Sequence, residues 1–306
     1  MNTLPRPDVV AVGVDGSEAS TAAVDWAAAE AARRGASLLV VSVIELPQTT
    51  GSYLEFAAGV GSIAHEEALR LATAAGRRAA TKLPADRVDT SISDGSAAGH
   101  LIKASESAVL VVVGNKHRSA FGSFTSGSVS FAVAAHAACP VVLVPEADGH
   151  RGVEGTDGAD GVRGVVVGVD GSHAASQALE MAGEMAARAG QPLTIVGAWD
   201  IPVTGAWTNA AWADGASVPS WSEALRDDAT DTLQRAVASV RALHPDLVVS
   251  TQVVQAPAAR ALVEASGGAA LVVVGSRGRG GFASLVLGSV SHAVLHDCTA
   301  PVMIVR

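Results

Sequence analysis

Cysteine, tyrosine and positive charge are all scarce in this chain, which holds two Cys, one Tyr and only 21 Lys and Arg against 30 Asp and Glu in 306 residues. Cys139 and Cys298 come from opposite halves and form neither a CxxC pair nor a metal-ligand spacing, so a disulfide framework and a thiolate metal site are both disfavoured. They are expected to be reduced thiols of a cytosolic protein. The net charge of -9 and a pI near 5.4 argue against nonspecific nucleic-acid binding, which needs clustered Lys and Arg to neutralise phosphates. An anionic ligand must then be held by local groups.

Long apolar runs are missing too. None approaches the about 20 residues that cross a bilayer, and the opening MNTLPRPDVV lacks the charged and apolar regions of a secretory signal. No membrane span is expected, and the expected location is cytoplasmic. Several catalytic signatures are absent as well: the chain has no G-x4-G-K-[ST] loop, no GxSxG elbow, no HExxH helix and no GxGxxG turn after its first strand. No residue stands out as a general base, so binding is better supported than catalysis.

What the chain has in quantity is repetition. VGVDGS at 12–17 returns unchanged at 167–172, and GSVSFAVAAHAACPVVLVP at 127–145 returns as GSVSHAVLHDCTAPVMIVR at 288–306. The first pair is offset by 155 residues and the second by 161, so the second copy gained six residues in between. The segment around 200–225, rich in Gly, Ser, Pro and Trp, is the expected place. EADGHRGVEGTDGADG at 146–161 has no apolar periodicity and suits a solvated linker. The expected division is a first domain over 1–146, a linker over 147–161 and a second domain over 162–306.

Within each copy, Val-rich runs such as VVAVGV and ASLLVVSVIE alternate with helical stretches, which predicts a parallel sheet covered on both faces. The fold class is therefore α/β, two tandem doubly wound domains of about five strands each. Ser17 is the expected N-cap of the first helix and Gly35 its stop. Ala175, Leu179, Ala182 and Met185 recur at helical spacing and predict a buried face in the second copy.

In such a sheet the ligand crevice lies beyond the carboxyl ends of the strands, where strand order reverses. Three segments of each copy reach that edge: the turn carrying Asp15 or Asp170, the end of the second strand, and the glycine-rich loop after the fourth. In GSRGRGGFASLVLGS, residues 275–289, Gly275, Gly278 and Gly288 let backbone amides approach a ligand. Ser289 opens the next helix, whose N-terminus favours anions, and Arg277 or Arg279 can reach phosphate oxygens. Each choice has a plainer reading: Asp15 and Asp170 as turn caps, and Ser128 and Ser289 as N-caps.

VGVDGS, the VVVG run before the loop, GSVS at the next helix and a terminal PV strand together resemble the universal stress protein family in its tandem, actinobacterial-type form. The resemblance covers nearly the whole chain outside the linker. It implies an adenine nucleotide α-hydrolase-like fold and, in one branch, ATP, with or without Mg2+, bound at G-x2-G-x9-G-[ST]. In the second copy the motif falls on Gly275, Gly278, Gly288 and Ser289; Asp170 would contact adenosine and Ala198 would meet adenine through backbone groups. The first copy offers Asp15, Val43, Gly114, Gly127 and Ser128 but carries His117 where the motif asks for glycine. Weaker binding and no binding both stay open there, since Lys116, His117 and Arg118 also bring charge.

The family likeness further implies pairing through the final strand, a homodimer and an unidentified regulatory protein partner. The function it implies is an ATP-binding regulatory module in stress or growth adaptation. An ATP-independent interaction protein and a slow ATPase are the alternatives.

Overall fold

Six consecutive small or apolar residues, VVAVGV, form the first strand, β1 (Val9–Val14), in a computed structural model that describes residues 8–45, 54–115, 128–146, 164–201, 218–280 and 287–306. The chain divides into two units, Met1–Asp157 and Gly158–Arg306. The expected linker, 147–161, lies outside the described residues.

In the first unit β1 is followed by α1 (Glu18–Arg34), β2 (Ser37–Ile44), α2 (Leu54–Ala79), β3 (Val88–Asp94), α3 (Ala97–Ala104), β4 (Leu110–Asn115), α4 (Ser128–His136) and β5 (Val141–Pro145). The second unit repeats the order with β6 (Val165–Gly168), α5 (His173–Ala189), β7 (Leu193–Trp199), α6 (Val218–Leu243), β8 (Val249–Gln255), α7 (Ala258–Ala265), β9 (Leu271–Gly275), α8 (Ser289–Asp297) and β10 (Val302–Val305). Among the described residues no helix is long and apolar enough to cross a membrane.

Each unit builds a parallel sheet, in the order β3-β2-β1-β4-β5 and β8-β7-β6-β9-β10. The central strands are apolar along their whole length because helices cover both faces. Val10, Val12, Leu38, Val40, Leu110 and Val112 are wholly buried in the first unit, as are Val167, Leu193, Ile195, Val272 and Val273 in the second. Burying each such side chain stabilises by roughly 1.5–3 kcal/mol. β3 and β8, next to one neighbour each within their units, are correspondingly more exposed and more polar.

Local chemistry sets the helix ends. Ser17 Oγ accepts from Ser20 N at 3.2 Å and Gly35 ends α1 with φ 63°, both as the sequence predicts. The second unit repeats the pair with Ser172 accepting from Ala175 N at 3.2 Å and Gly190 at φ 61°. Ala175, Leu179, Ala182 and Met185 form the buried face of α5.

The inserted residues can be placed by packing. Ile44 and Trp199 end the second strands, 155 positions apart. Buried Ala72 and Ala79 of α2 match buried Leu233 and Val240 of α6, 161 positions apart. The six extra residues therefore fall between Trp199 and Leu233, an interval that includes 202–217, outside the described residues.

Candidate functional site

Strand order reverses between β1 and β4 and between β6 and β9, since the second strand lies on one side of the first and the fourth on the other. A crevice must open there, because the crossovers leave to opposite faces. Register fixes which second-strand residue reaches it. Gly13 pairs with Val41 and Gly168 with Val196, so Val43 and Ala198 stand at equivalent places two residues further along.

In the second unit this edge holds a cavity of about 480 Å³. Asp170 reaches it from the turn after β6, Ala198 from β7, and Gly275, Arg277 and Gly278 from the loop after β9. Gly288 and Ser289 close the set at the start of α8. All seven second-copy residues chosen from the sequence are thus brought together.

Ala258 and Leu262 of α7 line the same cavity and were not singled out from the sequence. Their signal is faint: AAGHLIKA in α3 and AARALVEA in α7 share a leucine at the same place. A Cβ on Gly13 would lie 2.9 Å from Leu101 Cδ1, and one on Gly168 would lie 2.8 Å from Leu262 Cδ1. The glycine inside each VGVDGS therefore makes room for that leucine.

Asp170 is held from both sides. Its Oδ1 accepts from Ser172 N at 2.9 Å, across Gly171 at φ 79°, and its Oδ2 accepts from Arg279 N at 2.9 Å. The turn-cap reading of this aspartate is therefore met in part, and the second bond ties it to the distant loop. Asp15 makes the equivalent turn, its Oδ1 accepting from Ser17 N at 3.0 Å and from Ser17 Oγ at 2.6 Å.

The loop glycines turn out to be required first by the protein's own atoms. A Cβ on Gly275 would sit 2.8 Å from the carbonyl carbon and oxygen of Ala174, and one on Gly278 would sit 2.6 Å from Asp170 Oδ2. Gly114 is equally constrained, at 2.6 Å from Ala19 C. At Gly275 and Gly114 the obstructing atoms are backbone, so close packing dictates glycine whether or not a ligand is present, whereas at Gly278 a Cβ would displace the Asp170 carboxylate. Gly288 differs, because a Cβ there would meet Arg277 Cα at an ordinary 3.4 Å.

Gly288 donates its N–H to Ser276 O at 2.8 Å, closing the loop on itself, and is the N-cap of α8 with no side-chain cap bond. Ser289 is thus the first helical residue and not the cap. The amides of that first turn and the positive end of the helix dipole border the cavity through Gly288, Ser289, Val290 and Ser291, a setting that favours an anion.

The two loop arginines have different surroundings. Arg279 Nη1 donates to Asp228 Oδ2 of α6 at 2.8 Å, and that hydrogen bond, with the charge of Asp228, raises its pKa further. Both arginines line the cavity, but Arg277 makes no ion pair among the described residues, whereas the Arg279 guanidinium is engaged by Asp228. Burial, and secondarily the charge of Arg277, lowers the pKa of Arg306, so a second cation lies close by.

In the first unit Val43 and Gly114 are the penultimate residues of their strands and exposed Ser128 begins α4. Lys116, His117, Arg118 and Gly127 lie outside the described residues. One difference at this edge is visible. Glu45, just after β2, accepts from Ala97 N at the start of α3 at 2.8 Å, whereas Asp200, its counterpart, accepts from its own neighbour Ile201 N at 2.9 Å. α7 begins after Pro257, with no side-chain cap bond.

Both cysteines are free thiols, and burial pushes the Cys139 thiol up to about 11. Among the described residues no three His, Cys, Asp or Glu side chains converge on a metal position.

The universal stress protein family model matches the chain twice, over residues 8–145 and 161–306. A universal stress protein of Mycobacterium tuberculosis is 33% identical over 302 residues, covering 97% of this chain and 96% of that protein. One of Mycolicibacterium smegmatis is 35% identical over 304 residues, with the same coverage. The crystal structure of a universal stress protein from Archaeoglobus fulgidus superimposes with a TM-score of 0.66 at 19% identity, covering 97% of this chain and 98% of its own, a likeness of fold. With two family matches, full-length relatives and a twice-built parallel sheet, this chain belongs to the universal stress protein family.

Proposed function

We propose that this protein is a regulatory module that binds an adenine nucleotide, with its principal site in the second unit. The observation that carries the reading is the cavity of about 480 Å³ at the strand-order reversal, where the residues of the G-x2-G-x9-G-[ST] pattern converge. Its volume suits a nucleotide-sized ligand.

The chemistry of the lining divides in a way that fits such a ligand. Val169, Ala175, Val196 and Leu262 offer apolar surface for a base near the edge of β7. Arg277 and the α8 N-terminus offer positive charge for phosphates. ATP, with or without Mg2+, is the ligand we put forward. A Mg2+ ion would be held largely by phosphates and water, as it commonly is.

The lining also favours holding a nucleotide over breaking it down. Among the described residues Asp170 is the only carboxylate that lines the cavity, and no His, Lys, Cys or Tyr joins it. Asp170 is committed to two backbone N–H bonds that tie the turn to the loop, a role that suits a structural acceptor better than a general base. The bound state would then be passed to a protein partner from a cytoplasmic, dimeric protein.

The test is to denature the purified protein, identify any released nucleotide by mass spectrometry and titrate the stripped protein calorimetrically with ATP, ADP, AMP and GTP. Release of an adenine nucleotide and preference for adenine over GTP are expected. No released nucleotide together with no heat of binding would overturn the reading and favour an ATP-independent interaction protein.

A further inference from the structure

The two arginines of the glycine-rich loop are close in sequence but sit in different electrostatic settings, and the carboxylates around them explain why. Asp170 Oδ2 accepts the Arg279 backbone N–H at 2.9 Å. Asp228 Oδ2 accepts the Arg279 guanidinium at 2.8 Å. The same residue is thus gripped at its backbone by the turn after β6 and at its side chain by α6. Gly278, immediately before it, has no room for a Cβ, which would lie 2.6 Å from Asp170 Oδ2.

We propose that Asp170 and Asp228 form a two-point clasp on Arg279 that fixes the mouth of the second-unit cavity, and that Arg277 alone of the two arginines reads the ligand's phosphates. Arg279 is then a positioning residue. The proposal rests on the nucleotide reading for the role of Arg277 but not for the clasp, whose bonds are made by protein atoms alone. It also changes what Asp170 does: it serves the site by holding the loop, with each carboxylate oxygen already engaged by an amide.

Asparagine cannot replace Asp170 in this arrangement. A carboxylate offers an acceptor to each of the two N–H groups, whereas a side-chain amide offers one acceptor and turns its NH2 against the other donor. The Arg279–Asp228 arm is weaker, since the two side chains are 61% and 50% exposed and exposed pairs are individually weak.

In the first unit the counterpart of Arg279, Arg118, lies outside the described residues, but the counterpart of Asp228 is already engaged within its own helix. The α2 residue 161 positions before Asp228 is Glu67, and it binds Arg70 of its own helix through two bonds of 2.8 and 2.5 Å. In α6 the place of Arg70 is taken by Asp231, which leaves Asp228 to the loop.

The experiment measures two things on the full chain. Hydrogen exchange of residues 276–280 in nucleotide-free protein reads the clasp directly. Asp170→Asn should speed exchange at the Arg279 amide by about tenfold or more, and Asp228→Asn by about two- to fivefold. Gly278→Ala, which changes no charge, should mimic Asp170→Asn, and Asp228→Glu should restore protection. Unchanged exchange in both Asp170→Asn and Gly278→Ala would overturn the clasp.

Calorimetry with AMP, ADP and ATP reads the division between the arginines. Arg277→Gln should cost about tenfold or more in ATP affinity and progressively less for ADP and AMP, while Arg279→Gln should cost a similar, smaller factor for all three. An Arg279→Gln cost that climbs with phosphate number as steeply as that of Arg277→Gln would overturn the assignment. Failure of unmodified protein to bind any of the three would instead sink the nucleotide reading, and the exchange data would still decide the clasp.

Discussion

The two halves of the chain agree closely where the backbone must turn and in most of the residues that line the crevice, and differ at a few positions beside it. Gly16 and Gly171 adopt φ 80° and 79°, and Gly35 and Gly190 adopt 63° and 61°. The N-cap serines, the strand order and the leucine against each VGVDGS glycine repeat as well. At the carboxyl edge Val43 stands against Ala198 and Glu45 against Asp200, and in the sequence Glu67 corresponds to Asp228 and His117 to Gly278. Folding thus constrains the turns of both copies alike, and of the residues that line the second-unit cavity only Ala175, Ala198, Arg277, Gly278 and Gly280 are replaced in the first copy, by Ser20, Val43, Lys116, His117 and Ser119.

The first way to test that comparison is at the glycines both copies need. Gly114→Val and Gly275→Val each drive a side chain into the backbone of the helix after the unit's first strand, at 2.6 Å from Ala19 C and 2.8 Å from Ala174 C. Each should destabilise its unit by about 3 kcal/mol. Urea denaturation followed unit by unit would read the loss, and near-wild-type midpoints would show that the helices can shift aside.

Exchanging the residues at the third loop position should have the next largest effect. Gly278→His places a Cβ 2.6 Å from Asp170 Oδ2 and should weaken nucleotide binding in the second unit by about a hundredfold. His117→Gly should strengthen any binding in the first by about tenfold. Calorimetry on each variant decides, and if neither exchange alters affinity, this position does not set the difference between the units.

Cap removal should be smaller and equal in the two halves. Ser17→Ala and Ser172→Ala each lose an acceptor for a first-turn amide, at about 1 kcal/mol apiece. Removing the Glu45 carboxylate should cost roughly 0.5–1 kcal/mol, since it leaves Ala97 N unbonded. Asp200→Ala, which caps no helix, should change stability by less than about 0.5 kcal/mol. Thermal melts of the four variants would show whether the asymmetry at α3 and α7 is real.

Much of this architecture is legible in the sequence because local rules suffice for it. Val-rich runs predict β1, β2, β4 and their repeats, and a serine three residues before its amide partner predicts each cap. The duplicated flanks of GSRGRGGFASLVLGS locate the crevice residues, and the seven chosen in the second copy do line one cavity.

What the pattern does not reveal is what each glycine and arginine is for. Gly275 and Gly278 look like openings for a ligand, yet their missing side chains leave room for Ala174 and Asp170. Arg277 and Arg279 look interchangeable, yet only Arg279 meets Asp228, 51 positions away. Ala258 and Leu262 carry no polar signal at all. These are long-range packing relations, and they arise only when the strands are in register.

The most direct test of the central claim is the number of adenine nucleotides carried per chain, counted by native mass spectrometry for the wild-type protein and for Gly288→Glu. The substituted side chain has room, since its Cβ meets only ordinary contacts, but it brings a carboxylate to the α8 N-terminus, where the phosphates are assigned. The wild-type protein should carry at least one nucleotide, and Gly288→Glu should carry one fewer while remaining folded. An equal count in both proteins, or none in the wild type, would contradict a nucleotide site in the second unit.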